Sequence, residues 1–173
     1  MKTTFLKSIG GTALALLVLV GGQLISVVGG QQISVSEKKD KGHKPSLVGV
    51  WVTQVTRRNC ETGEPIGTSQ PQLTFAKGGT LLETIAPSTV RGAGNGIWKR
   101  EPGKNEYSYV LRFMRYDAAG GPPVGSGVIR TAIRLDENGN HYTSTATNDA
   151  LDVNGNVISS GCATSVATRF SME

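Results

Sequence analysis

Two histidines and two cysteines in 173 residues leave little material for the commonest catalytic and metal sites. His43 lies in a charged polar stretch, so His141 is the single histidine of the prospective folded part. Ser144, His141 and Asp149 can be assembled into a Ser-His-Asp set, but no nucleophile elbow surrounds the serine. A zinc site needs three or four ligands, and the two cysteines are better used on each other, so no metal is expected. No cysteine lies near the apolar N-terminal run, which excludes a bacterial lipoprotein. Nor is there an excess of one charge. From Ser46 onward twelve Lys and Arg meet eleven Asp and Glu, so the formal +5 of the whole chain shrinks there to +1. A nucleic-acid role thereby loses its main electrostatic support. Helical periodicity is missing too, for no window sustains a 3.6-residue period flanked by caps.

One long hydrophobic run is present, and it sits near the start. Lys2 and Lys7 flank a short polar beginning, and residues 9–28 are apolar apart from Thr12, Gln23, Ser26 and glycines. A positive n-region followed by an h-region is the form of a secretory signal. Val28, Gly29 and Gly30 offer small residues for a cut before Gln31, so residues 1–30 are read as a signal peptide. The run is about twenty residues long, enough to cross a bilayer, so an uncleaved anchor is the alternative. The chain is expected to be exported, periplasmic or extracellular, with no membrane span in the mature form unless the signal stays. Residues 31–45, with EKKDKGHK at their centre, carry charge and few large apolar side chains. A disordered polar linker is expected there. Residues 46–173 make one domain, long enough to bury a core.

From Leu47 on, runs rich in Val, Thr, Ile, Tyr and Phe alternate with clusters of Gly, Pro, Asn and Asp, the texture of an all-β domain. Eight strands are expected at roughly 47–58, 71–77, 80–87, 95–100, 106–117, 126–136, 141–151 and 157–170. Short connections such as KGGT and EPGKN favour an antiparallel meander, and DAAGGPPVGSG is the longer exception. LDENGNHY at 135–142 and LDVNGNVI at 151–158 each offer oxygen ligands at alternate positions. A helix-flanked calcium loop wants glycine sixth and glutamate twelfth; here Gly139 and Gly155 fall fourth, and Thr147 and Ala163 twelfth. Asn-Gly between alternating runs reads instead as a hairpin turn with both central residues at positive φ. Asp136 and Asp152 are then expected to bond the turn's own amides.

A meander of eight strands leaves two edges, which closure into a barrel removes. Cys60 follows the first strand and Cys162 lies near the start of the last, and in an exported chain they are expected to pair. Those strands are antiparallel neighbours in an up-and-down barrel, so these ends meet. In an open sheet they would lie at opposite edges. The expected fold is an all-β, eight-stranded antiparallel up-and-down β-barrel, stapled by one disulfide.

Gly49-Val50-Trp51, on the first strand, resembles the G-x-W signature of lipocalins and the wider calycin superfamily. The resemblance implies a lipocalin-like barrel whose tryptophan closes one end, with an arginine packed on its ring. With Cys60 facing Cys162, Thr53 falls opposite Arg169 and Trp51 opposite Ser171. Arg169 is then diagonal to Trp51, within cation–π reach. Gly49, Trp51 and Arg169 are therefore structural candidates. NCETGEPIG, LTFAKGGTLLET, GNGIW, YTSTAT, DVNGN and GCATSVATRF are similar to stretches in a group of uncharacterised exported bacterial proteins that look like small lipocalin-like barrels. This second resemblance covers nearly all of 47–170 and implies a fold and a location, not an activity.

The interior decides among functions. Tyr107, Tyr109, Leu111 and Phe113 share one parity, as do Ile129, Ile133 and Leu135, while Tyr142, Ser144 and Ala146 alternate with Thr143, Thr145 and Thr147. Small residues at Ser144, Ala146, Ala163, Ser165 and Ala167 leave room for one small ligand in a barrel of this size. The candidate ligand-binding residues are Trp98, Tyr107, Tyr109, Phe113, Arg115 and Tyr142. Trp98 follows the glycine-rich 92–96, read as a mobile loop, and is the expected ligand-responsive tryptophan. Among Arg112, Arg115, Arg130 and Arg134, one that points inward would meet an acid group. No catalytic residue and no cofactor is assigned. The first reading is non-catalytic binding of a small apolar or amphipathic molecule outside the cytoplasm. The second is an envelope structural or interaction module whose barrel is filled. The third is a cofactor-free barrel cyclase or isomerase, with Glu83, Glu101 or Asp149 as acid and base. A cavity on the order of several hundred Å³ would separate the first from the second.

Overall fold

β-Branched and aromatic side chains that alternate with polar ones fit a pleated sheet buried on one face. The structure, a computed structural model, describes residues 45–85, 90–117 and 121–172. Its strands are β1 (Gly49–Arg58), β2 (Pro65–Ser69), β3 (Gln72–Phe75), β4 (Thr80–Thr84), β5 (Gly94–Arg100), β6 (Glu106–Tyr116), β7 (Pro123–Leu135), β8 (His141–Leu151) and β9 (Val157–Arg169). From β3 to β9 each strand pairs antiparallel with the next, and β9 pairs back onto β1. β1 meets β3 along its first half and β2 along its second. β2 and β3 thus fill one strand position, interrupted at Gln70-Pro71. Pro71 has no N–H to give, but its carbonyl still accepts from the Thr53 amide at 3.1 Å. The result is a closed eight-stranded antiparallel up-and-down barrel. The expected export signal, and the expected linker apart from Pro45, lie outside the described residues.

β2 is the one element that the strand pattern does not announce. PIGTS begins with proline and contains glycine, both poor strand formers, and pairs because the second half of β1 is available beside it. Proline at the first position of a strand costs little, since that N–H need not enter the ladder.

At the seam, spacing places Cys60 opposite Cys162, and the ladder corrects this by two residues. Arg58 pairs with Cys162, Thr53 with Ala167 and Trp51 with Arg169. The disulfide between Cys60 and Cys162 nevertheless forms, with the Cα atoms 5.2 Å apart. Cys60 lies past the end of β1, in a turn that the Asn59 carboxamide oxygen closes by accepting from the amides of Glu61 (2.8 Å) and Thr62 (3.1 Å). The chain has left the strand direction there, so the bridge runs diagonally. A slip of two keeps every side chain on its own face, which is why the inside–outside assignment survives it.

Both Asn-Gly stretches are turns, of a longer kind than expected. The Asp136 amide donates to the His141 carbonyl and the Asp152 amide to Asn156, each at 2.9 Å, leaving loops of four and three residues. Positive φ is confined to Gly139 (75°) and Gly155 (88°), so the asparagines before them stay in ordinary backbone regions and no primed two-residue turn forms. The aspartates do bond their own loops. Asp136 Oδ1 accepts from the Asn140 amide at 2.8 Å, and Asp152 Oδ1 from Asn154 (2.9 Å) and Asn156 (2.8 Å). At Asp136 desolvation is the largest single influence and pushes the carboxyl up, but the loop's amide bonds together hold it below the usual aspartate range; at Asp152 the Asn156 carboxamide, donating to Oδ2 at 3.0 Å, leads the same lowering. Oδ1 of each aspartate thus serves its own turn, and calcium is expected to bind neither loop. A melting curve recorded with and without chelator is expected to show the same transition; a drop of several degrees on chelation would reverse this reading.

Candidate functional site

Inward-facing residues run as alternate positions around the barrel and divide it into two unlike halves. The half where the chain enters and leaves is solid. Trp51, fully buried, donates its indole N–H to the Leu47 carbonyl at 2.9 Å and lies 4.9 Å from the Tyr142 ring. The Arg169 guanidinium sits 4.3 Å over the Trp51 ring and donates to three carbonyls: Gly139 (2.7 Å), Val48 (2.7 Å) and Ser46 (2.5 Å). One cation thus ties the entering chain and a hairpin turn onto the tryptophan. Gly49 has φ of 138°, and a Cβ there would come within 2.6 Å of the Arg169 guanidinium. Glycine two residues before the tryptophan is therefore required both by the backbone angle and by the arginine.

The other half, where the turns at 59–64 and 152–156 lie, is partly hollow. Small side chains on β8 and β9 (Ser144, Ala146, Ala163, Ser165) face a wall of Leu73, Tyr109, Phe113 and Ile129, and between them is a cavity of about 140 Å³. Ser144 and Ser165 share a hydrogen bond of 2.6 Å on the small-residue side. Burial pushes the Tyr109 phenol up to about 12. The inner wall also carries a charged pair. Glu83 on β4, 5% exposed, is bonded by Arg91, whose guanidinium lies 3.6 Å over the Phe113 ring. Burial raises the Glu83 carboxyl above the usual range, while the charge and hydrogen bond of Arg91 oppose that rise. Glycine makes room here as well. A Cβ at Gly94 would stand 2.7 Å from Glu83 Oε2, and one at Gly127 would enter the Phe113 ring.

Of the six residues singled out for ligand contact, Tyr109 and Phe113 line the cavity. Arg115 shares their parity nearer the open end, where it donates to the Leu151 carbonyl at 3.3 Å. Trp98, Tyr107 and Tyr142 stand in the solid half. Trp98 donates to the Ala76 carbonyl (3.0 Å) and packs edge-on to Phe75, Tyr107 donates to Pro45 (3.0 Å), and Tyr142 shares a hydrogen bond with Thr53 (3.0 Å). Trp98 still pairs across the ladder with Tyr109, so it stands one residue from the cavity. The glycine-rich stretch before it is not all loop, since Gly94 already begins β5.

Arg91 and Arg57 are cavity residues that the strand pattern did not bring forward. Arg57 was there to be found, because Trp51, Thr53, Val55 and Arg57 alternate on one face of β1. Arg91 had no such signal, as it joins the sheet through a lone bridge to Arg115 outside any strand. Arg112, Arg130 and Arg134 occupy outward positions on β6 and β7. Glu83 is the inward member of the carboxylate trio. Asp149 faces outward to Arg130 (2.7 Å) and Ser160 (2.8 Å), and Glu101 accepts from Ser108 (2.5 Å) beside Lys99 (3.0 Å). Ser144 points inward while His141 lies outside, 3.3 Å from the Thr168 hydroxyl, so no triad assembles.

No protein-family model matches the chain, and no curated protein matches it. The closed barrel, its buried Trp51 and the stacked Arg169 are compatible with a lipocalin-like fold. Among the described residues no group of three or more His, Cys, Asp or Glu could hold a metal ion, and no helix is long and apolar enough to cross a membrane. Wider depressions exist on the outer face, one of about 820 Å³ and lined by outward residues such as Gln54, Thr56 and Thr145. They are open concavities of a twisted sheet. The inner cavity combines partial enclosure, an apolar wall and convergent polar groups, the features that bind small molecules.

Proposed function

We propose that this protein is an exported, non-catalytic binder of one small amphipathic molecule, held in the hollow half of a lipocalin-like barrel. In this reading residues 1–30 are the export signal, 31–45 a linker and 46–173 the binding domain, working in the periplasm or outside the cell. The disulfide is consistent with an oxidising compartment. The observation that carries the reading is the cavity itself, apolar on the Phe113–Ile129 side and polar at Glu83, Arg91 and the Ser144–Ser165 pair. Its size narrows the ligand. At about 140 Å³ it is smaller than the roughly 300–1,000 Å³ of sites for drug-sized molecules. A dry cavity of about 150 Å³ holds benzene, so the enclosed part of the ligand is about one ring in size.

The small volume also favours the second reading, an interaction module whose barrel is essentially filled. Toluene separates the two. On the binding reading, toluene added to the labelled protein shifts the methyl signals of Ile129, Ala146 and Ala163, and moves the Trp98 indole signal through its neighbour Tyr109. Interior methyls that stay unmoved up to toluene saturation would support the filled module instead.

A further inference from the structure

The charge of the cavity mouth is not balanced. Arg57, Arg91 and Arg115 take inward positions at or near the cavity, and the carboxylate on the same face is Glu83. Glu83 is already matched by Arg91. The remaining acids on the open side are turned to other uses or lie in the turns. Asp149 faces outward to Arg130 and Asp152 caps its own loop, while Glu61, Glu64 and Asp117 sit in exposed connecting chain. Among the described residues, no carboxylate is within ion-pair distance of Arg57 or Arg115. Arg58, next along β1, is spent on Gly63 and Thr164 instead.

Arg57 also has room beside β2. Its guanidinium lies along β2 over Gly67, where a Cβ would come within 2.4 Å of a terminal nitrogen and 3.1 Å of the central carbon. Any side chain at that cross-strand position would push the arginine away. The planar fork of arginine matches a carboxylate through two parallel hydrogen bonds, and low-dielectric walls strengthen the attraction.

We infer, resting on the cavity reading above, that the ligand is a compact organic anion: a ring-sized apolar group in the cavity and a carboxylate at the mouth, facing Arg57. The apolar group lies between Phe113 and Ile129 on one side and Ala146 and Ala163 on the other. Arg91 and Glu83 lie behind the acid as a matched pair. Glu83 keeps Arg91 from collapsing onto the ligand and disfavours a second negative charge deep in the barrel.

Benzoate, benzyl alcohol and benzylamine test this, because they share a ring and differ in head-group charge. Titrations followed by the Ile129, Ala146 and Ala163 methyl signals should rank benzoate first, with benzyl alcohol about tenfold weaker and benzylamine weaker still. Arg57→Gln should bring benzoate down to the level of benzyl alcohol and leave benzyl alcohol unchanged. Arg57→Lys, which keeps the charge and loses the fork, should fall between. Added salt should weaken benzoate alone. Benzyl alcohol binding as tightly as benzoate, or an Arg57→Gln variant that keeps the preference, would overturn the anion inference and leave the cavity reading standing. If none of the three moves an interior methyl, the cavity reading falls, and this inference with it.

Discussion

Trp51→Ala is expected to lower the stability of the barrel by about 3–5 kcal/mol, the range for removing a buried aromatic that its surroundings cannot replace. Trp51 is fully buried, and two of its neighbours are fixed independently of it: Tyr142 by its bond to Thr53, and Arg169 by three carbonyls. Neither can move in to fill the space without breaking a bond. Arg169→Ala should cost less, since it loses a stacking contact of about 0.5–1 kcal/mol together with hydrogen bonds at a partly solvated rim. The two losses should not add, because side chains in contact share a coupling energy on the order of 0.5–3 kcal/mol. Urea denaturation of the two single variants and the double variant measures all three quantities. Strict additivity, or a Trp51→Ala variant as stable as the parent, would remove the plug from the account of this fold.

Breaking the disulfide should cost about 2–4 kcal/mol, a large share of the stability of a domain this size. Cys60 and Cys162 are 102 residues apart in sequence, so the bridge closes nearly the whole barrel into one covalent loop and restricts the unfolded chain accordingly. The native state should change little, because β1 and β9 are paired residue by residue from Trp51–Arg169 to Arg58–Cys162 without help from the bridge. A Cys60→Ser/Cys162→Ser double variant should therefore keep the parent's circular dichroism at room temperature and unfold at a lower urea concentration. An unchanged midpoint would mean that the unfolded chain already keeps its ends together. A lost spectrum would mean that the seam depends on the bridge to form.

How far the fold was readable depends on which signal each part uses. Period-two alternation placed Tyr107, Tyr109, Leu111 and Phe113 on one face of β6, and all four face inward. That pattern needs only local sequence, so it survives ignorance of the partner strand. Register needs the partner, and the cysteine pair was an imperfect ruler because Cys60 sits in a turn off the ladder. β2 was invisible because its strand character comes from β1, not from its own residues. The cavity was half legible for the same reason. Tyr109 and Phe113 lie on a regular strand, whereas Arg91 lies outside one, and Glu83 looks like an ordinary surface carboxylate until Gly94 opposite leaves it room. A buried charge on a strand is decided by the residue across from it, which a single sequence does not reveal.

The seam also decides how the domain would respond to pulling. β1 begins and β9 ends at the Trp51 side, so the described chain leaves the barrel from two neighbouring points. Tension between those points would not shear the β1–β9 pairing all at once. It would peel it like a zipper, loading Trp51–Arg169 first and each next pair in turn. The stacked arginine and its three carbonyls stand at the tooth that takes the first load. The covalent bridge stands just beyond the last, at Arg58–Cys162, where peeling must stop. Everything between Cys60 and Cys162, including the part of the cavity wall on β4, β6, β7 and β8, is shielded from the pull.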